Sequence, residues 1–126
     1  MARILIVDDS ETLRGQVKSD LVLAGYETLE AADGINGLEV FSANSGNINL
    51  ILCDVNMPRL DGLSMISKLF ESNGGKIPPV FMLTTECSPE MKSKGKSVGV
   101  VAWITKPYAK EKLTLAVAKA LEKFKT

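Results

Sequence analysis

The sequence predicts an α/β fold: a doubly wound five-stranded parallel sheet built as (βα)5. Three observations lead there. Four apolar runs, "ILIV" (4–7), "LILC" (50–53), "VFML" (80–83) and "VVAWI" (100–104), are short and uninterrupted, as in parallel strands covered on both faces. The segments between them repeat their apolar residues at helical spacing. The 126 residues contain no internal repeat, low-complexity tract or change of composition, so one domain over 1–126, with no output domain attached, is expected.

In chain order, "ILIV" is the first strand, and a helix follows in which Ser10 is the N-cap, Leu13, Val17 and Leu21 form the buried stripe, and Gly25 is the stop. "YETLEAA" (26–32) alternates polar and apolar residues, the mark of an edge strand. Ile35, Leu38 and Phe41 give the second helix, which ends near "NSGN"; Leu63, Ile66 and Phe70 give the third, closed by "NGG". Ser88 and Pro89 read as N-cap and first residue of a fourth helix, whose body "EMKSKGKSVG" is a weak helix former with Gly95 in its interior. Leu113, Val117, Leu121 and Phe124 mark the fifth. Right-handed crossovers and an edge position for the second strand give the flavodoxin-like strand order 2-1-3-4-5.

Charge and composition exclude several functions. Fifteen Lys and Arg balance fifteen Asp and Glu, so no global field draws the chain to nucleic acid or to an anionic membrane. "MARILIVDD" is too short for a signal-peptide core and no run approaches a membrane span, so a cytoplasmic protein is expected. Cys53 and Cys87 fit no disulfide framework or metal-ligand spacing. With no histidine in the chain, imidazole cannot act as base, ligand or phosphoryl carrier, and chemistry falls to carboxylate, hydroxyl and ammonium groups.

Such sheets bind ligands beyond the carboxyl ends of their strands, where strands 1 and 3 lie side by side. Asp8 and Asp9 follow strand 1, Asp54 follows strand 3, Thr84 and Thr85 follow strand 4, and Lys106 follows strand 5 and precedes Pro107. Singly, the Asp pair could cap a helix, Asp54 begin a turn, Thr84 be a strand residue and Lys106 a solvated lysine. At one rim they describe an acidic pocket. Two carboxylates about 4 Å apart repel by roughly 4 kcal/mol at an effective dielectric near 20, so cations must offset them. Lys106 supplies one charge, and a hard divalent ion, Mg²⁺ by its oxygen preference, supplies the rest.

"VDDS", "DVNMPRLDG", "LTTE" and "ITKPY" together resemble the four signatures of the response-regulator receiver domain, closest to the CheY-like chemotaxis type, over essentially the whole chain. The resemblance implies that Asp54 is the phosphoacceptor, that Asp8, Asp9 and Asp54 hold Mg²⁺ with the Asn56 carbonyl, that Thr84 donates to a phosphoryl oxygen and that Lys106 pairs with another. It implies a cis peptide at Lys106-Pro107 and an aromatic switch at Trp103, where the family more often has Tyr or Phe. Thr85 lies beside the switching hydroxyl, and Asn56 and Glu86 flank the path of hydrolytic water, which sets a phosphoryl lifetime of seconds to minutes. The domain is thus expected to be a monomeric signalling switch, not a metabolic enzyme, with embedded self-phosphorylation and autodephosphorylation. The implied partners are a histidine kinase as donor and the flagellar motor switch protein at the helix 4, strand 5 and helix 5 face, with a phosphatase as a third. A phosphorelay shuttle is the alternative. An aspartate-nucleophile phosphatase wants an acid where Asn56 stands, and an FMN-binding module wants a hydroxyl-rich loop where Asp8 and Asp9 stand.

Overall fold

The computed structural model describes residues 2–85 and 87–124. Elements alternate as β1 (Arg3–Val7), α1 (Glu11–Leu23), β2 (Glu27–Ala31), α2 (Gly34–Ala43), β3 (Leu50–Asp54), α3 (Gly62–Ser72), β4 (Val80–Thr84), α4 (Pro89–Ser97), β5 (Val100–Thr105) and α5 (Lys110–Lys123). The strands form one parallel sheet in the order β2-β1-β3-β4-β5, as the sequence predicts. Register aligns Val7 with Cys53, Asp54 with Leu83 and Thr84 with Thr105, so β1, β3, β4 and β5 end on one rim.

Alternation along each strand divides the core between the two faces of the sheet. On one, Leu5, Val7, Ile51, Cys53, Val80 and Met82 pack with Phe41 of α2 and with Leu63, Met65, Ile66 and Leu69 of α3, and Met91 of α4 rests on the same layer. On the other, Ile4, Ile6, Leu50, Leu52, Phe81 and Leu83 pack with Val17 and Leu21 of α1 and with Leu113, Val117 and Ala120 of α5. Full burial of each large side chain contributes about 1.5–3 kcal/mol.

Local signals hold where predicted. The Ser10 and Ser88 hydroxyls accept from the N–H groups of Leu13 and Met91, and Pro89 opens α4. Gly25 takes φ 96° just past α1, where a side chain would be strained.

Three expectations change. β5, read as covered on both faces, buries only Val100 among its six residues, because β4 is its one neighbour and α4 covers little of it. In α2, Ile35 and Leu38 are only partly buried, with Leu38 packing against the core beside buried Phe41, and Gly34 and Gly37 are its other buried residues; a Cβ on Gly37 would lie 2.5 Å from the Met65 sulfur. Phe124 leaves the α5 stripe at the helix end and is exposed.

Candidate functional site

The turn after β1 and the end of β3 bring three carboxylates together. Asp8, Asp9 and Asp54 each place an oxygen within 4.8 Å of the others. Asp8 and Asp54 are buried, at 4% and 8% exposure, and Asp9 faces solvent. Lys106, carried in by the end of β5, reaches both buried groups, with Nζ 2.9 Å from Asp54 Oδ1 and 3.4 Å from Asp8 Oδ2. The other Asp8 oxygen accepts from the Ser10 N–H at 2.8 Å, which fixes the carboxylate plane.

Burial raises the Asp54 pKa and the Asp8 charge adds to the effect, while the hydrogen bond from Lys106 opposes it. Burial alone would depress Lys106, but its bond to Asp54 and the charges of Asp8 and Asp54 outweigh that, so its pKa is raised and it stays an ammonium. Cys53, next to Asp54 in sequence, is fully buried, and desolvation pushes its thiol up; it is a core residue with no thiolate to offer.

Three carboxylates against one ammonium leave an excess of negative charge at an all-oxygen site. That donor set fits Mg²⁺, which takes few protein ligands and keeps its waters. Asn56, two residues past Asp54, has an exposed side chain in the loop that leaves the rim.

Thr84 ends β4 beside this cluster, is 5% exposed, and accepts the Lys106 N–H at its carbonyl, 2.9 Å away. By strand alternation its side chain shares a face with Met82, the residue paired with Trp103. Trp103 is half-buried over α4, and Gly95 makes room for it: a Cβ there would stand 2.8 Å from Trp103 Cζ2. The α4 glycine, read as a weakness of propensity, is thus also a seat for the ring. Thr85 and Pro107 are exposed, and the Lys106-Pro107 peptide is cis, as expected. Glu86 lies outside the described residues.

Other residues shape the site with little sequence signal. Arg14 donates from Nη1 to the Asp8 carbonyl at 2.6 Å and from Nε to Glu30 at 3.2 Å, bracing the acidic turn from α1. Gly62 opens α3 directly against Asp54. Its N–H donates to the Val55 carbonyl at 2.8 Å, and a Cβ would overlap the Asp54 carbonyl oxygen. The "DG" pair was the available clue, since Asp61 caps α3 by accepting from the Ser64 N–H at 2.9 Å. Tyr108 Oη donates to Asp20 at 2.7 Å, tying the turn after Lys106 to α1.

A family model described as the response regulator receiver domain matches residues 4–118. Chemotaxis protein CheY1 of Helicobacter pylori strain J99 is 35% identical over 120 residues, covering 91% of this chain and 96% of that protein. The sensor histidine kinase CheAY of the same species, strain 26695, is 32% identical over 94% of this chain, which spans only 15% of that larger protein. Among solved structures, the Vibrio cholerae chemotaxis protein CheY4 superposes with a TM-score of 0.87 at 38% identity, covering 95% of this chain and 98% of that one. Among the described residues, no helix is long and apolar enough to cross a membrane.

Proposed function

The chain belongs to the response-regulator receiver family, and from that premise we propose that Asp54 accepts a phosphoryl group from a phosphohistidine of a histidine kinase and that the added charge switches partner binding. The observation that carries this reading is the Lys106 ammonium bonded to Asp54 and Asp8 within a group of three clustered carboxylates. One Asp54 carboxylate oxygen attacks phosphorus in line. The P–O bond to Asp54 forms as the P–N bond to the donor imidazole breaks, and the imidazole leaves with the electron pair. Lys106, already at the nucleophile, turns to a phosphoryl oxygen, and Thr84 presents its hydroxyl to a second. Asp8, Asp9 and Asp54, with the Asn56 carbonyl, would hold Mg²⁺, which when bound neutralises charge on the transferring oxygens. Water entering past Asn56 reverses the modification within seconds to minutes.

Phosphorylation adds about −1.5 to −2 charges and three acceptor oxygens. Movement of Thr84 toward them opens space on the face of the sheet it shares with Trp103, and the ring turns inward over Gly95. The readout surface is then α4, β5 and α5. Residues 89–124 hold eight lysines against three glutamates, a local excess hidden by the balanced total, which suits a partner with an acidic docking segment. Relatives named as chemotaxis proteins support the flagellar motor switch protein in that role. The match within CheAY, a sensor histidine kinase, supports a second reading as a phosphorelay receiver.

Incubation with acetyl phosphate and Mg²⁺ is expected to add one phosphoryl mass to the intact protein and none to Asp54→Asn or to protein in excess chelator. A product that persists in the Asp54→Asn variant would overturn the assignment. Capture by the beryllofluoride form, offered motor switch proteins and histidine phosphotransfer domains side by side, separates the two outputs.

A further inference from the structure

The loop from Val55 to Asp61, which carries Asn56 away from the phosphoacceptor, turns sharply at Arg59. The Leu60 N–H donates to the Pro58 carbonyl at 2.7 Å, and Arg59 between them has φ 67°, the one non-glycine residue at positive φ among the described residues. A two-residue hydrogen bond around a positive-φ centre is the strained form of the γ-turn. A long side chain there needs something to hold it.

The Arg59 guanidinium meets Asp33 with both prongs: Nε to Oδ2 at 2.8 Å and Nη2 to Oδ1 at 2.9 Å. Asp33 is itself fixed, because its Oδ1 also accepts from the Asn36 N–H at 2.8 Å as the N-cap of α2. The Asn36 side chain in turn accepts from the Ala32 N–H at 2.9 Å. Beside the pair, Gly34 runs so close to Leu60 that a Cβ would overlap the Leu60 carbonyl oxygen. The loops after β2 and β3 are thus locked by a planar fork and a glycine contact at successive residues. An ordinary surface ion pair contributes little to stability. This one is bidentate, its carboxylate is largely covered, and it restrains a strained turn three residues after Asn56.

We propose that the Arg59–Asp33 clamp positions the Asn56 carbonyl and so sets the divalent-cation affinity of the Asp8, Asp9 and Asp54 cluster. This rests on the receiver reading of that cluster. Arg59 and Asp33 touch neither cation nor phosphoryl group; they act through the loop. Outer partners of metal ligands commonly change affinity 10- to 100-fold. A clamp acting on one carbonyl belongs at the lower end.

Mg²⁺ is titrated into the full chain by calorimetry, well below the melting temperature, for wild type, Asp33→Asn, Arg59→Gln, the double variant and Arg59→Gly. Asparagine keeps the N-cap, and glycine relieves the positive-φ strain, so at least one variant on each side stays folded. Each single variant is expected to weaken Mg²⁺ about tenfold, the double variant no further than the worse single one, and amide exchange at Met57 and Leu60 in metal-free protein to quicken. Unchanged Mg²⁺ affinity in folded Asp33→Asn and Arg59→Gly overturns the clamp, as does a double loss equal to the product of the single losses. Failure of the wild type itself to bind Mg²⁺ would instead overturn the receiver reading of the cluster.

Discussion

Helices α3 and α4 follow adjacent strands and differ by only two residues in length, 11 against 9, yet they are held in opposite ways. α3 buries Gly62, Leu63, Met65, Ile66 and Leu69, and its first turn presses on the backbone of Asp54. α4 buries only Gly95, and its sequence "PEMKSKGKS" offers Met91 and little else to the core. α3 is therefore a wall fixed by packing, whereas α4 is a wall that rests on Val100 and the edge of a tryptophan ring. A cluster of like charges must keep its geometry against mutual repulsion, which requires the first kind of wall. The proposed transmission of a new charge to a distant surface requires the second.

The largest expected effect falls on the fixed wall. Gly62→Ala places a methyl group against a carbonyl that cannot rotate away, and a loss of about 3 kcal/mol, the upper range for overpacking, is expected in urea unfolding. A loss under about 1 kcal/mol would show that the start of α3 yields and would break the contrast. Next, amides in the middle of α4 are expected to exchange at least about tenfold faster than those of α3, a gap of about 1.4 kcal/mol in opening free energy. Protection equal to that of α3 would remove the difference between the walls.

Gly95→Ala sharpens it from the other side. The added methyl meets the side chains of Trp103 and Val100 instead of backbone, and the helix-propensity gain of about 1 kcal/mol offsets much of their displacement. Stability is expected to stay within about 1 kcal/mol of wild type while the emission of the chain's single tryptophan shifts. A stability loss matching that of Gly62→Ala would place both helices in one class.

The last effect concerns the far side of the sheet, where burial and the bond to Asp20 raise the Tyr108 pKa above its ordinary 10.0. A raised folded-state value means the stabilisation is complete below pH 10 and fades as the pH climbs above it. Tyr108→Phe is expected to cost about 1 kcal/mol at neutral pH, with the gap to wild type narrowing in alkaline urea melts. A gap that widens above pH 10 would reverse the sign assigned to this hydrogen bond.

Much of this was readable from local pattern. Ser10, Ser88 and Pro89 announce helix starts because capping is a contact within four residues, and Gly25 announces a stop because few side chains tolerate its backbone angle. The apolar runs announce strands, and their ends announce Asp8, Asp54, Thr84 and Lys106 as rim residues, because ligands of a doubly wound sheet gather at one end. Gly34 and Gly37 were opaque, and Gly62 was legible only as part of the "DG" start of α3: each is required by an atom from another element, and nothing within helical spacing reports that atom. Arg59 and Asp33 were opaque for the same reason, separated by 26 residues and joined only when two loops meet. β5 misled because an apolar run shows that a strand can be buried, not how much neighbouring structure covers it.

By itself the sequence determined what short-range physics controls: strand and helix periods, caps, the order (βα)5, and an inventory of carboxylate, hydroxyl and ammonium groups with no imidazole. Tertiary structure alone decided which groups touch: Lys106 against both Asp8 and Asp54, the fork of Arg59 on Asp33, Trp103 seated on Gly95. Periodicity follows from bonds and steric limits between near neighbours, whereas these contacts depend on how whole layers settle against one another.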